Sequence, residues 1–137
     1  MAELVNHTAE ILEQSLCAVA ETGEDITPHF FTRFFARHPE QQALFFQPRV
    51  SCGAMVNEIL DSLLGLGAHE GWVNSSIHNL VIAHRCYGDF PPSLYAELLD
   101  VFVDTLADLA GERWNAGYDA AWRQLAAELH KLIVSAH

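Results

Sequence analysis

His84 lies in the stretch Ile77-His78-Asn79-Leu80-Val81-Ile82-Ala83-His84-Arg85-Cys86-Tyr87-Gly88, where Ile77, Leu80 and Val81 precede it by seven, four and three positions. Those spacings stack on one side of a helix, so the imidazole closes an apolar face. A neutral ring in such a place can spend one nitrogen on a backbone carbonyl and present the other to an apolar cavity, as metal-binding histidines do. The chemistry on offer is ligation of a metal, alone or within a haem. The alternative is a core histidine whose ring is satisfied inside the protein.

Other chemistries leave little trace. His29, His38, His69 and His78 have no paired ligand spacing with acids or cysteines, and each reads as a surface or capping residue; His7 and His130 carry no pattern. Cys17, Cys52 and Cys86 are an odd number without CxxC or zinc-ligand spacing, which points to free thiols. Cys86, about two hundred degrees around the helix from His84, is expected to face elsewhere. Nucleophile elbow, phosphate loop and dinucleotide fingerprint are missing from the sequence.

The elements that must position His84 are helices. Apolar residues recur every three or four positions along most of the chain, and sustained alternation is missing, so the sequence reads as all-α with about seven helices. The first is expected from about Thr8 to Glu21, with Leu12, Leu16 and Val19 inward and Gly23 ending it. A second begins near Asp25, capped by Asp25 or Thr27, and buries Phe30, Phe31, Phe34 and Phe35 before Pro39. Pro39 starts a short helix through Phe45.

Gln47 to Ser51 is expected to be a loop, followed by a helix from about Ser51 to Leu66 with Cys52, Val56, Ile59, Leu60 and Leu63 on one face. Gly65, Gly67 and Gly71 make a corner, and the His84 helix runs from about Trp72 to Gly88, with Pro91-Pro92 forbidding its continuation. Two strongly patterned helices end the chain, one through Tyr95, Leu98, Leu99, Phe102, Val103, Leu106 and Leu109, the other through Tyr118, Ala121, Trp122, Leu125, Leu129, Leu132 and Ile133.

A chain of 137 residues suits one domain, residues 1–137, and its eight Phe, three Trp and three Tyr can fill a core. Eighteen acids against seven bases give a charge of −11, and Lys131 is the one lysine; phosphate backbones and anionic lipids would be repelled, so nucleic acid and membrane are not expected partners. The N-terminus lacks a signal-peptide pattern, and a cytoplasmic location is expected.

The order and spacing of Phe30-Phe31-Thr32-Arg33-Phe34-Phe35 with Pro39, of Ala43-Leu44-Phe45 with Pro48, of His84-Arg85-Cys86-Tyr87-Gly88 with Pro92 and Tyr95, and of Ala121-Trp122 resemble a bacterial globin. The likeness is strongest to single-domain haemoglobins and the haem domain of flavohaemoglobins, and it runs from about Thr8 to Ile133. It implies a globin fold around a pocket for haem b, with His84 as the proximal iron ligand and Phe45 packed on the haem face. It also implies that Leu80, Phe90 and Leu98 line the proximal and edge walls and that Tyr95 lies beside the proximal histidine, able to polarise it.

On the distal side the chain departs from that pattern. Phe31 stands where these proteins usually place a tyrosine and Cys52 where they place glutamine or histidine, while Val56 matches the aliphatic wall. Bound oxygen gains negative charge and wants a donor; Phe31 has none and a thiol is a weak one. Cys52 is either a small apolar filler or, as thiolate, a sixth iron ligand. One extra residue separates His84 from Tyr95, and His137 falls near where a proximal glutamate is usual.

The resemblance thus implies a haem protein that binds O2, NO or CO in an apolar distal pocket, a gas-binding or redox protein rather than a dedicated enzyme. Nitric oxide dioxygenase or peroxidase activity would draw on a separate reductase. A haem-free sensor or interaction module on the same helical scaffold is the other reading.

Overall fold

In a computed structural model, which describes residues 2–44, 48–85 and 90–136, the described chain is all-helical. Six α-helices are α1 (Ala2–Ala20), α2 (Ile26–Arg37), α3 (Pro48–Gly67), α4 (Trp72–His84), α5 (Pro92–Ala110) and α6 (Ala116–Ala136), with short 3-10 helices at Pro39–Leu44 and Gly111–Arg113. Phe45, Gln47 and the stretch from Cys86 through Gly88 lie outside the described residues.

Local chemistry accounts for most boundaries. The Asp25 side chain accepts from the Thr27 N–H at 3.1 Å and caps α2, so Asp25 rather than Thr27 takes that role. Gly23 and Gly111 adopt φ of +72° and +59° past the ends of α1 and α5, where a Cβ would be strained. Pro92 opens α5, where its missing N–H costs nothing.

Three expectations need correction. The first helix starts at Ala2 rather than near Thr8, since no glycine or proline upstream interrupts it. The loop expected over Gln47–Ser51 gives way to helix from Pro48, because proline is pre-set for a first helical position. Gly65 and Gly67 belong to α3 rather than to the corner, which His69 closes with a left-handed φ of +57°. A Cβ on Gly65 would come within 2.7 Å of Val73 Cγ2 and 2.8 Å of the Trp72 ring, so its bare backbone is what lets α4 start hard against α3.

α5 and α6 pack along each other, α2 lies on α5, and α1, α3 and α4 all reach α6. The core between them holds the wholly buried Phe30, Leu63, Phe102, Leu106 and Trp122. Each such side chain contributes about 1.5–3 kcal/mol by leaving water. Phe102 meets Phe30 and Trp122 edge-on, with ring centroids 5.8 and 6.4 Å apart. The buried indole of Trp122 donates to Ser15 Oγ at 2.8 Å, and Ser15 donates to the Leu12 carbonyl at 2.8 Å. That chain of bonds pins α1 to α6 without leaving a buried donor unmade.

Outside the core, Asp100, Asp104 and Asp108 rise along one face of α5. Asp104 accepts from Arg123 of α6 at 2.5 Å and lies 3.7 Å from Arg37 of α2, while Asp100 takes Arg123 at 2.8 Å and Asp108 pairs with Arg33. Burial disfavours the Arg123 charge, but the Asp104 hydrogen bond and the charges of Asp104, Asp119 and Asp100 outweigh it and raise its pKa. Part of the acidic excess is therefore spent on fastening α2 and α6 to α5. Among the described residues no helix is long and apolar enough to cross a membrane.

Candidate functional site

His84 is the last residue of α4, and its Nδ1 lies 2.8 Å from the carbonyl oxygen of Leu80 one turn back. A carbonyl can only accept, so Nδ1 carries the proton and Nε2 of the neutral ring keeps its lone pair. The half-buried ring meets Tyr95 and Phe90 edge-on, with centroids 6.0 and 6.3 Å away, which limits how it can turn.

The ring borders a cavity of about 40 Å3 between four helices. α3 contributes Met55, Glu58, Ile59 and Ser62; α4 contributes Ile77, Leu80 and His84; α5 contributes Tyr95, Leu98 and Leu99; α6 contributes Leu129 and Ile133. Carbon makes up nearly all of its surface. Burial pushes the Tyr95 phenol up from its ordinary value, against a smaller lowering by the charge of Arg85.

Four of the residues singled out in the sequence meet here, namely Leu80, His84, Tyr95 and Leu98, with Phe90 against the imidazole. Phe31, Cys52 and Val56 are buried in the core and are not among the residues bordering this cavity. Phe31 packs on Phe30 and Phe35 at 4.7 and 5.3 Å. Cys52 is 7% exposed, and burial raises its pKa above the ordinary thiol value, which keeps it protonated at neutral pH. Phe45 is outside the described residues.

Sequence reasoning passed over Met55, Glu58, Ile59, Ser62, Ile77, Leu99, Leu129 and Ile133 as site residues. Leu99, Leu129 and Ile133 stood on recognised apolar faces, but period alone does not say which part of a face borders a void. His38 also does more than cap: its Nε2 lies 2.5 Å from the Glu97 carboxylate and its Nδ1 3.3 Å from Glu40, joining the end of α2 to α5.

The donor set suits one kind of metal chemistry. Among the described residues no three His, Cys, Asp or Glu side chains cluster to hold a bare ion. One oriented imidazole facing aliphatic walls instead matches a group that brings its other metal ligands with it, as haem does. The fit is chemical rather than volumetric, because the cavity of about 40 Å3 is far smaller than a tetrapyrrole.

The chain is similar to a flavohemoprotein. That protein, from Halalkalibacterium halodurans, is 26% identical over 128 residues, an alignment that covers 86% of this chain and 31% of the relative. The chain therefore spans about a third of the relative's length. No protein-family model matches the chain, and no solved structure matches it.

Proposed function

We propose that this chain is a haem-binding globin that takes O2, NO or CO at an iron held by His84. The observation that carries the reading is the His84 Nδ1–H bond to Leu80 at the wall of an apolar cavity, since it leaves Nε2 as a ready axial ligand. Similarity to a flavohemoprotein supports it.

His84 would hold haem b through Nε2, with Leu80, Leu98, Ile59 and Ile77 forming aliphatic walls. Haem, when bound, would supply an iron able to take a diatomic gas. The Leu80 carbonyl makes the imidazole a better electron donor by drawing on its Nδ1 proton. Tyr95 and Phe90 hold the ring in place, and the carbon walls exclude water. Phe31, without a donor, and Cys52, a neutral thiol, would leave a bound oxygen poorly held, which favours rapid release and NO or redox chemistry over oxygen storage. An enzymatic form of this reading, nitric oxide dioxygenation or peroxidation, needs electrons from a separate reductase.

The cavity's small size favours a second reading, a haem-free module that uses the helical scaffold for sensing or interaction. Expression with haem supplied separates the two. A Soret band in the purified protein that disappears in His84→Ala is the expected result; a wild-type protein that stays colourless when titrated with haem would overturn the haem reading.

A further inference from the structure

A larger concavity, of about 450 Å3, lies where α1 passes the end of α3, and it shares no residue with the cavity at His84. Small residues open it. Ala20 on α1, with Gly67 and Ala68 at the end of α3, leaves a gap that Leu16 and Leu64 flank and Leu12 floors. Leu12 is buried, whereas Leu16 and Leu64 keep part of their surface in water. From Ala9 to Ala20 the groove follows α1 for about 16 Å, at ~1.5 Å of rise per residue.

The charge around this groove is one-sided. Glu13 is the ionised side chain on its wall, and α1 carries Glu3, Glu10 and Glu13 but no lysine or arginine. Arg49, the base of α3, stands at the opposite end of that helix from Leu64 and Gly67, and Arg113 is paired with Glu21 just past α1. A second copy of this chain, at charge −11, would bring like charge toward Glu13 and is a poor cover for the groove. This volume, walls of carbon and a single polar group at the rim are the features of a small-molecule pocket, where the polar group fixes the orientation of the guest.

We propose that the groove between α1 and α3 binds a small hydrophobic amine, its hydrocarbon laid along Leu12, Leu16 and Leu64 and its ammonium group at the Glu13 carboxylate. The site is separate from His84 and does not depend on haem. Cys17 stands one turn from Glu13 on the same wall and is exposed, so its thiol reports whether the groove is filled.

The test follows alkylation of Cys17 by iodoacetamide, read by mass spectrometry of its peptide, in the presence of octylamine, octanol or octanoate. The three probes share one chain and differ in charge. Octylamine is expected to protect Cys17 saturably, at a concentration about threefold below that of octanol, with octanoate weakest; a gap of that size suits one exposed ion pair. The advantage of octylamine is expected to vanish in Glu13→Gln and to shrink in high salt. Ala68→Phe, a change at an exposed position, fills the groove and is expected to abolish protection; Ala20→Leu fills it from the other wall should the first variant fold poorly. Absence of protection by octylamine at millimolar concentration overturns the site. Equal protection by the three probes, or an octylamine advantage kept in Glu13→Gln, overturns the choice of an amine. Protection that persists in the filled variants overturns the groove as its location.

Discussion

The imidazole of His84 donates from Nδ1 to the carbonyl of Leu80 at 2.8 Å, within the same helix. The bond sets the tautomer from inside α4, so the lone pair on Nε2 does not depend on a partner from elsewhere in the fold. On the proposed haem reading, removing the side chain removes ligation and little else. His84→Gly is expected to lose the Soret band of the haem-loaded protein, and millimolar-scale imidazole added to the solution is expected to restore it. A Soret band that persists unchanged in the variant would place the axial ligand on another residue.

Phe31→Tyr adds a hydroxyl to a residue that the proposed haem reading sets on the side of the bound gas. If residue 31 reaches the bound gas, oxygen dissociation measured by stopped flow slows about tenfold, the effect of one hydrogen bond to a partly charged partner. An unchanged rate would mean that Phe31 stays packed on Phe30 and Phe35, as in the present arrangement.

Burial raises the Cys52 thiol above its ordinary value near 9 and the Tyr95 phenol above its ordinary value near 10. In each case the unfolded chain gives up its proton first, so the folded state binds more protons between the two pKa values and stability falls as pH rises through that interval. The stabilising contribution is complete below about pH 9 and declines above it. Denaturant unfolding followed from pH 7 to 11 should therefore show an alkaline loss that is smaller in Cys52→Ala and Tyr95→Phe. Cys17, on the exposed side of α1, should react with a thiol reagent at neutral pH while Cys52 is spared in the folded protein.

Gly65→Ala tests how closely α3 and α4 meet. The added methyl collides with Val73 and Trp72, and overpacking of this kind costs about 1–3 kcal/mol. The melting temperature is expected to fall by roughly 3–10 °C, the usual conversion for a domain of this size. Gly53→Ala, where a Cβ meets nothing within 4 Å, is the control and should leave the protein at least as stable.

The elements were largely legible in the residues. Gly23, Asp25, Pro39, Pro92 and Gly111 mark boundaries that the structure keeps, because caps and breakers act on the backbone within one turn. The same locality explains Leu80 and His84, which share a face by spacing alone. It also explains the misreading of Gly65: a glycine near a helix end reads as a corner, and its use as a contact surface depends on Trp72 and Val73, which arrive from the next helix.

What the sequence determined by itself was an all-helical chain, its apolar faces, and an imidazole at the end of one of them, all set by period and by neighbours in the chain. The tertiary structure decided which faces meet. Leu129 and Ile133 reach the cavity beside His84, and Ser15 finds Trp122 at a separation of 107 residues. Ser62 was one more polar residue in a helix until α3, α4, α5 and α6 closed around it. Burial belongs to the space between helices, and helical period carries no information about that space.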